Sequence, residues 1–384
     1  MTRNNGLIFT IIAALGLCNI AIGMLVQIIP LVMDGEHDTK FLIGANAMAG
    51  QTGSFLAGLG LIELRRRFRS HGLVMAAIAL TFLCMVGFAF TSPVWAWFAI
   101  RFAEGLAQSI IFTTGETWLQ ANVSDGARGR VMGSYMTSQT ITFAIGPSLI
   151  PTIGAFGPTP WLFGATMLAV GFVLMARVKI EETVGVQAVA GLWATLRKGP
   201  LIFLSIGVAT VFEALTLSFF TLYAIHQGME LGHATRLLSF GIALCLLFFF
   251  PIGYLADHWS RRGTVAICAV VTIVCCLLQI LAIGTWWMWP LIVILRAGAF
   301  GTYLCGFGML GDKFKGAELV AAASLVSIMW GLGGMIAPPL AGQAFDVWGI
   351  WLLPWLMAAS YVPVLLGLLF IRPNPQAISA SGLP

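Results

Sequence analysis

The stretch Gly253-Tyr254-Leu255-Ala256-Asp257-His258-Trp259-Ser260-Arg261-Arg262 joins two long apolar runs, and an echo of it lies 195 residues upstream. There Gly58-Leu59-Gly60-Leu61-Ile62-Glu63-Leu64-Arg65-Arg66-Arg67 repeats the leading glycine and the arginine pair. Arg101 and Arg296 keep the same offset, but each sits inside an apolar run, in Ile100-Arg101-Phe102 and Leu295-Arg296-Ala297. The offset is close to half of the 384 residues. Ionisable side chains are expensive in a bilayer and are kept where they bind solutes or ions. A duplicated set of apolar segments that carries them therefore points to a transporter.

Composition fixes the solvent. Hydrophobic residues make up 59% of the chain and charged residues 9%. A water-facing surface needs roughly 25% charge, so the expected class is an all-α integral membrane protein. Twelve runs approach the ~20 residues of a membrane span. They lie at about 7–33, 41–62, 72–90, 94–118, 131–151, 160–178, 200–226, 236–256, 264–284, 287–310, 319–342 and 350–371. The longest polar interval, 179–199, contains Lys179, Glu181, Glu182, Arg197 and Lys198. It divides the chain into two pseudo-symmetric six-helix halves, 1–178 and 200–384, joined by a cytoplasmic linker. The first run exceeds the apolar core of a secretory leader, so helix one is expected to stay in the protein.

Sixteen of the twenty lysines and arginines fall on one side of this twelve-helix scheme, at the N-terminus, the even-numbered helix ends, the linker and the C-terminus. Lys40 and Arg236 fall on the other, and Arg101 and Arg296 lie within spans. The positive-inside rule then places both termini in the cytoplasm, in a cytoplasmic (inner) membrane protein. The net charge of +5 reflects this topology rather than nucleic-acid binding. Trp95, Trp97, Trp161, Trp286, Trp287, Trp289, Trp348, Trp351 and Trp355 all map to the opposite side and are expected to form an interfacial belt. All seven cysteines lie in apolar segments and read as small buried hydrophobes. No metal-ligand spacing stands out, and no metal or cofactor is expected.

The deeply placed polar residues concentrate on four helices. Helix one offers Asn19 and Gln27, helix four Arg101 and Glu104, helix seven Glu213 and helix ten Arg296. Glu104 lies three residues after Arg101, on the same helix face, where the two can pair. Two positive and two negative charges leave no net charge among them, and a carboxyl held out of water there could carry a proton.

With these residues in view, the chain resembles the major facilitator superfamily, whose G-x-L-A-D-x-x-G-R-R signature follows helix eight. Ser260 replaces the second glycine. In the first half Ile62 stands where the repeat predicts the aspartate, and Glu63 substitutes one residue later. The resemblance implies the major facilitator fold, with helices one, four, seven and ten around a central cavity. It implies a latch between halves that involves Gly58, Glu63 and Arg66 after helix two, and Gly253, Asp257, Arg261 and Arg262 after helix eight. Arg101 with Gly105 resembles an R-x-x-x-G element tied to the cavity and to proton coupling. Glu116 followed by Arg128-Gly129-Arg130 resembles a YcaD-like branch that includes bacterial riboflavin and copper importers. Gly146-Pro147 lacks the second glycine pair of the antiporter element and is expected to bend helix five.

The expectation is therefore a secondary transporter, proton-coupled, that moves a small organic solute by alternating access. A vitamin-like aromatic such as riboflavin fits a charge-balanced cavity beside Phe212, Phe219 and Phe220. The alternatives are drug or metabolite efflux, copper import, or a non-transporting receptor or assembly factor. The copper type carries M-x-x-x-M in helix seven, and that helix has no methionine. An enzyme is not expected, since no nucleotide loop or nucleophile elbow is present. Expected partners are the solute, membrane lipids and protons; a monomer is the expected state.

Overall fold

The computed structural model describes residues 2–123, 125–178 and 192–370. Twelve long helices span this range. In the first half they are Thr2–Gly35, Lys40–Arg67, Ser70–Phe90, Val94–Asn122, Asp125–Ile153 and Thr159–Ala176, helices one to six. In the second half they are Pro200–His226, Leu231–His258, Arg261–Ala282, Met288–Lys313, Gly316–Trp348 and Ile350–Phe370, helices seven to twelve. A short helix, Leu192–Lys198, precedes helix seven. Lys179, Glu181 and Glu182 of the expected linker lie outside the described residues.

Nine of the twelve are long and apolar enough to cross a membrane. Helices two, four and five are long enough, at 28, 29 and 29 residues, but too polar to qualify on composition. Their polar residues include Asn46 and Gln51; Arg101, Glu104 and Gln108; and Ser134, Thr137 and Ser138. All three belong to the first half.

Within each half the helices pack by backbone approach where glycine allows it. A Cβ on Gly105 would collide with the carbonyl of Gly50, and one on Gly53 with that of Phe102, so helices two and four touch backbone to backbone. Gly146 meets helix one, where a Cβ would lie 2.5 Å from Met24 N and 2.6 Å from Ile20 O. The Gly146-Pro147 pair thus stands at a tight helix crossing. Thr39 and Ser260 cap helices two and nine, accepting from Leu42 N and Gly263 N at 3.2 Å each.

Short connections put the arginine-rich turns on one face, here called the basic face, and the other turns on the far face. The tryptophans divide in a way the sequence does not reveal. Trp95, Trp286, Trp287 and Trp348 are exposed at the far face. Trp97 and Trp161 are buried instead, in a three-ring cluster where Trp161 stacks on Phe88 and Trp97 meets both edge-on, and Trp97 Nε1 donates to Thr91 O at 2.8 Å. On helix four, Trp95 and Trp97 are two residues and about 200° apart, so one faces outward and the other inward.

Candidate functional site

The two halves meet through helices one and seven, two and eleven, and five and eight, and the contacts that join them gather toward the far face. The Asp346 carboxylate of helix eleven accepts from Lys40 N (2.7 Å) and Phe41 N (2.9 Å), two orphan donors in the first turn of helix two. Asp34, at the end of helix one, is paired with Lys40 and lies 3.1 Å from His226 Nε2 at the end of helix seven. Lower down, Cβ atoms on Gly342 and Gly44 would collide with the carbonyls of Lys40 and Pro338. Gly232 of helix eight faces Pro151 of helix five.

Gln27 completes this seal, and the chain makes a special place for it. Helix seven widens into a π-helical turn at Thr216–Phe220. Gln27 Nε2 donates to Leu217 O at 2.8 Å, and Thr221 Oγ1 donates to Gln27 Oε1 at 2.7 Å. A π-turn changes the hydrogen-bond register and exposes a carbonyl to such a visitor.

Toward the basic face the same helices part. Nothing lies within 4 Å of a Cβ placed on Gly58 or Gly60 of helix two, Gly129 or Gly133 of helix five, Gly253 of helix eight or Gly311 of helix ten. Gly58 and Gly253, expected to serve a latch, therefore face open space in this conformation. Glu63 is exposed and pairs along its own helix, 3.6 Å from Arg66 and 2.8 Å from Arg67. The second-half signature is tied into its own bundle. Arg261 bridges Asp257 (3.1 Å) and Asp312 (2.9 Å), and Arg262 Nη2 donates to Leu368 O at 2.7 Å. The repeat puts Thr117 where Asp312 would be, so Arg66 lacks that acid.

Between the sealed and parted regions lies a cavity of about 110 Å³. Helices one, two, four and five wall it from the first half, and helices seven and eleven from the second. Its polar lining is Asn46, Gln51, Arg101, Gln108 and Ser218. An open groove of about 630 Å³ runs along helix five past Ser134, Thr137, Ser138 and Thr142, with Arg130 at its basic end. A groove of about 840 Å³ lies between helices seven, eleven and twelve. It is walled almost wholly by carbon, including Phe203, Leu332, Ile336 and Leu340, which suits an acyl chain better than a polar solute.

The anticipated charges are buried as two separate pairs. Arg101 is ion-paired with Glu104, one turn along helix four. Arg101 lines the central cavity, whereas Glu104 is wholly buried behind it. Arg296 Nη2 lies 2.9 Å from both carboxylate oxygens of Glu213, inside the second half. Asn19 donates to Gln139 O at 2.7 Å and ties helix one to helix five. Of the expected pathway residues, the cavity lining includes Arg101, while Gln27 sits in the seal beyond it. Asn46, Gln51 and Gln108 escape sequence reading because an amide in a span is unremarkable until its surroundings are known.

The fold is that of a multi-pass helical membrane protein with two six-helix halves. Residues 11–303, and again 237–383, match the family model described as Major Facilitator Superfamily, and the chain belongs to that superfamily. It is 24% identical over 387 residues to MFS-type transporter Ent638_1421 of Enterobacter sp., covering 96% of this chain and 98% of that protein. It is 24% identical over 340 residues to MFS-type transporter YcaD of Escherichia coli, covering 86% and 87%. A crystal structure of a point mutant of the nucleoside transporter NupG superposes with a TM-score of 0.81 at 14% identity, over 96% of this chain and all of that one. The chain is thus a multi-pass membrane transporter that resembles the YcaD branch.

Proposed function

We propose that this protein moves a small, uncharged, hydrogen-bonding organic solute across the cytoplasmic membrane by rocking residues 1–178 against residues 200–384. The carrying observation is the contrast between the two faces. The seal built by Gln27, Asp34, His226 and Asp346 closes one side of the cavity, while helices two, five and eight part on the other. The arginine distribution supports a cytoplasmic placement of both termini, and on that reading this is an inward-facing state. Gly58, Glu63, Arg66, Gly253, Asp257, Arg261 and Arg262 would then approach one another in the outward-facing state, which explains the empty space beside Gly58 and Gly253 now.

The lining favours neutral cargo. Arg101 is the cavity's charge, and Glu104 cancels it from behind. A vitamin-like heterocycle such as riboflavin fits this balance, as does a nucleoside, the cargo named for the structural neighbour NupG. Either would place one ring edge in the cavity and extend the remainder toward the basic face. Glu104, Glu213 and Arg296 are the groups proposed for proton coupling, in an importer driven by the proton gradient.

The test is uptake of labelled riboflavin and uridine into proteoliposomes, with and without an inward proton gradient. Wild type is compared with Arg101→Ala and Glu213→Gln at matched incorporation. Gradient-driven uptake lost in both variants supports the reading. Uptake of neither solute by a folded preparation removes this cargo class and leaves the efflux alternative.

A further inference from the structure

Asn46 is wholly buried on helix two, lines the central cavity, and has no partner for either its Nδ2 or its Oδ1. Buried amides are almost always hydrogen-bonded, because an unmet one carries the full cost of its lost hydration. Both ends of this one are free at a site bordered by two more amides, Gln51 and Gln108, and by the Ser218 hydroxyl.

We infer that Asn46 is the reading residue of the transport site and that it recognises the cis-amide edge of a lactam or imide ring. A carboxamide presents one donor and one acceptor side by side. A cis –CO–NH– edge presents the complement, and the two close a pair of parallel hydrogen bonds, as Asn does with adenine in DNA grooves. The cavity volume of about 110 Å³ corresponds to three or four waters at ~30 Å³ each. It takes a ring edge, not a whole two-ring solute. The Arg101–Glu104 pair leaves no net charge to attract an anion or a cation. This assignment rests on the transport reading above and names the chemistry of that same site.

Binding of uridine, N3-methyluridine, riboflavin, N3-methylriboflavin and ribitol to purified wild type and Asn46→Leu tests it. Methylation at N3 removes the edge donor and keeps the ring, while ribitol keeps only the polyol. Loss of one paired edge should weaken binding roughly 10–100-fold. The expected result is binding of at least one unmethylated ring compound, with its N3-methyl analogue and ribitol weaker by that factor, and with the difference abolished in Asn46→Leu. The ligand-free Asn46→Leu protein should melt at or above the wild-type temperature, because an unmet buried amide has been removed.

Equal binding of methylated and unmethylated compounds overturns the inference, as does unchanged affinity in Asn46→Leu. So does failure of every ring compound to bind folded wild type. A large fall in melting temperature of ligand-free Asn46→Leu assigns Asn46 a structural role and also overturns it. Binding of the ring compounds without flux into proteoliposomes leaves the edge reading in place and overturns transport instead, so the two failures are distinguishable.

Discussion

Arg296 Nη2 stands 2.9 Å from both carboxylate oxygens of Glu213, on a different helix, whereas its repeat mate Arg101 takes its acid from its own helix at Glu104. The 195-residue offset maps Glu213 onto Cys18 and Glu104 onto Ala299. Each half has therefore solved the problem of a buried guanidinium with a different element. The first solution leaves Arg101 on the cavity wall, and the second ties helix seven to helix ten.

This difference separates folding from transport in a thermal experiment. Removing one member of a buried ion pair leaves the other uncompensated and costs about 3–5 kcal/mol. Glu213→Ala and Arg296→Ala should each lower the melting temperature of the detergent-purified protein sharply. The double variant Glu213→Leu with Arg296→Met should recover much of the loss. A double variant as unstable as the sum of the singles would mean that the two residues stabilise independently.

Gln27→Ala should loosen the far-face seal. It removes two cross-half hydrogen bonds worth about 0.5–1.5 kcal/mol each, which shifts a two-state equilibrium by roughly 5- to 150-fold. Spin labels at Glu36→Cys and Glu230→Cys, on the far-face ends of the two halves, would read this as a longer distance population. The native cysteines are all buried and leave these sites selective. An unchanged distance distribution would show that the π-turn clasp does not bias the conformation.

Glycine replacements should divide by face. Gly44→Val places side-chain atoms against Pro338 O and should block far-face closure, so that the variant inserts in the membrane but does not transport. Gly58→Ala meets nothing in this conformation and should leave the melting temperature within experimental error. Its effect is expected in flux, where the opposite closure must form. Normal transport by Gly44→Val would refute the placement of the seal.

Asp38, in the turn between helices one and two, offers a pH test. Partial burial raises its carboxyl above the ordinary value, and its Oδ2 has no partner. A carboxyl raised in the folded state favours folding most below its unfolded pKa and loses that advantage as the pH rises through the folded value. Asp38→Asn should therefore melt higher than wild type at pH 7, with the gap closing toward pH 4. A gap independent of pH would remove the ionisation from the explanation.

Arg66 and Arg261 look equivalent in sequence and are not. Arg66 is exposed and 3.6 Å from a single acid, so Arg66→Ala should change stability by less than about 1 kcal/mol. Arg261 holds two acids from two helices, and Arg261→Ala should loosen the basic ends of helices eight and ten. Faster hydrogen exchange at Asp312 and its neighbours would report that.

The large features are legible in the sequence because they are one-dimensional. Apolar length gives the spans, and arginine asymmetry gives the faces. A charge inside a span announces itself, so Arg101, Glu104, Glu213 and Arg296 stand out from the order of residues alone. Pairing is three-dimensional and only half visible. Glu104 can be matched to Arg101 by helix spacing, but nothing in sequence joins Glu213 to Arg296 across 83 residues. Gln27 is conspicuous as a polar residue in a span, but its partner is a π-turn that no residue pattern marks. Asn46 does not stand out, because an amide carries no charge and the repeat offers it no mate: position 241 is glycine.

The concentration of polar side chains on helices two, four and five has a consequence for biogenesis. A span enters the bilayer from the translocon by its own hydrophobicity, and polar residues near its centre oppose that step. The six spans of the second half each meet the demand alone, whereas three of the first six do not. Helices two, four and five must therefore enter with one, three and six as companions, their amides and charges already facing protein. Glycosylation-site mapping of truncated chains should find helix two inserted only when helix one precedes it. The half that emerges first from the ribosome is thus the one that must assemble to be inserted, and the half that follows can be inserted before it assembles.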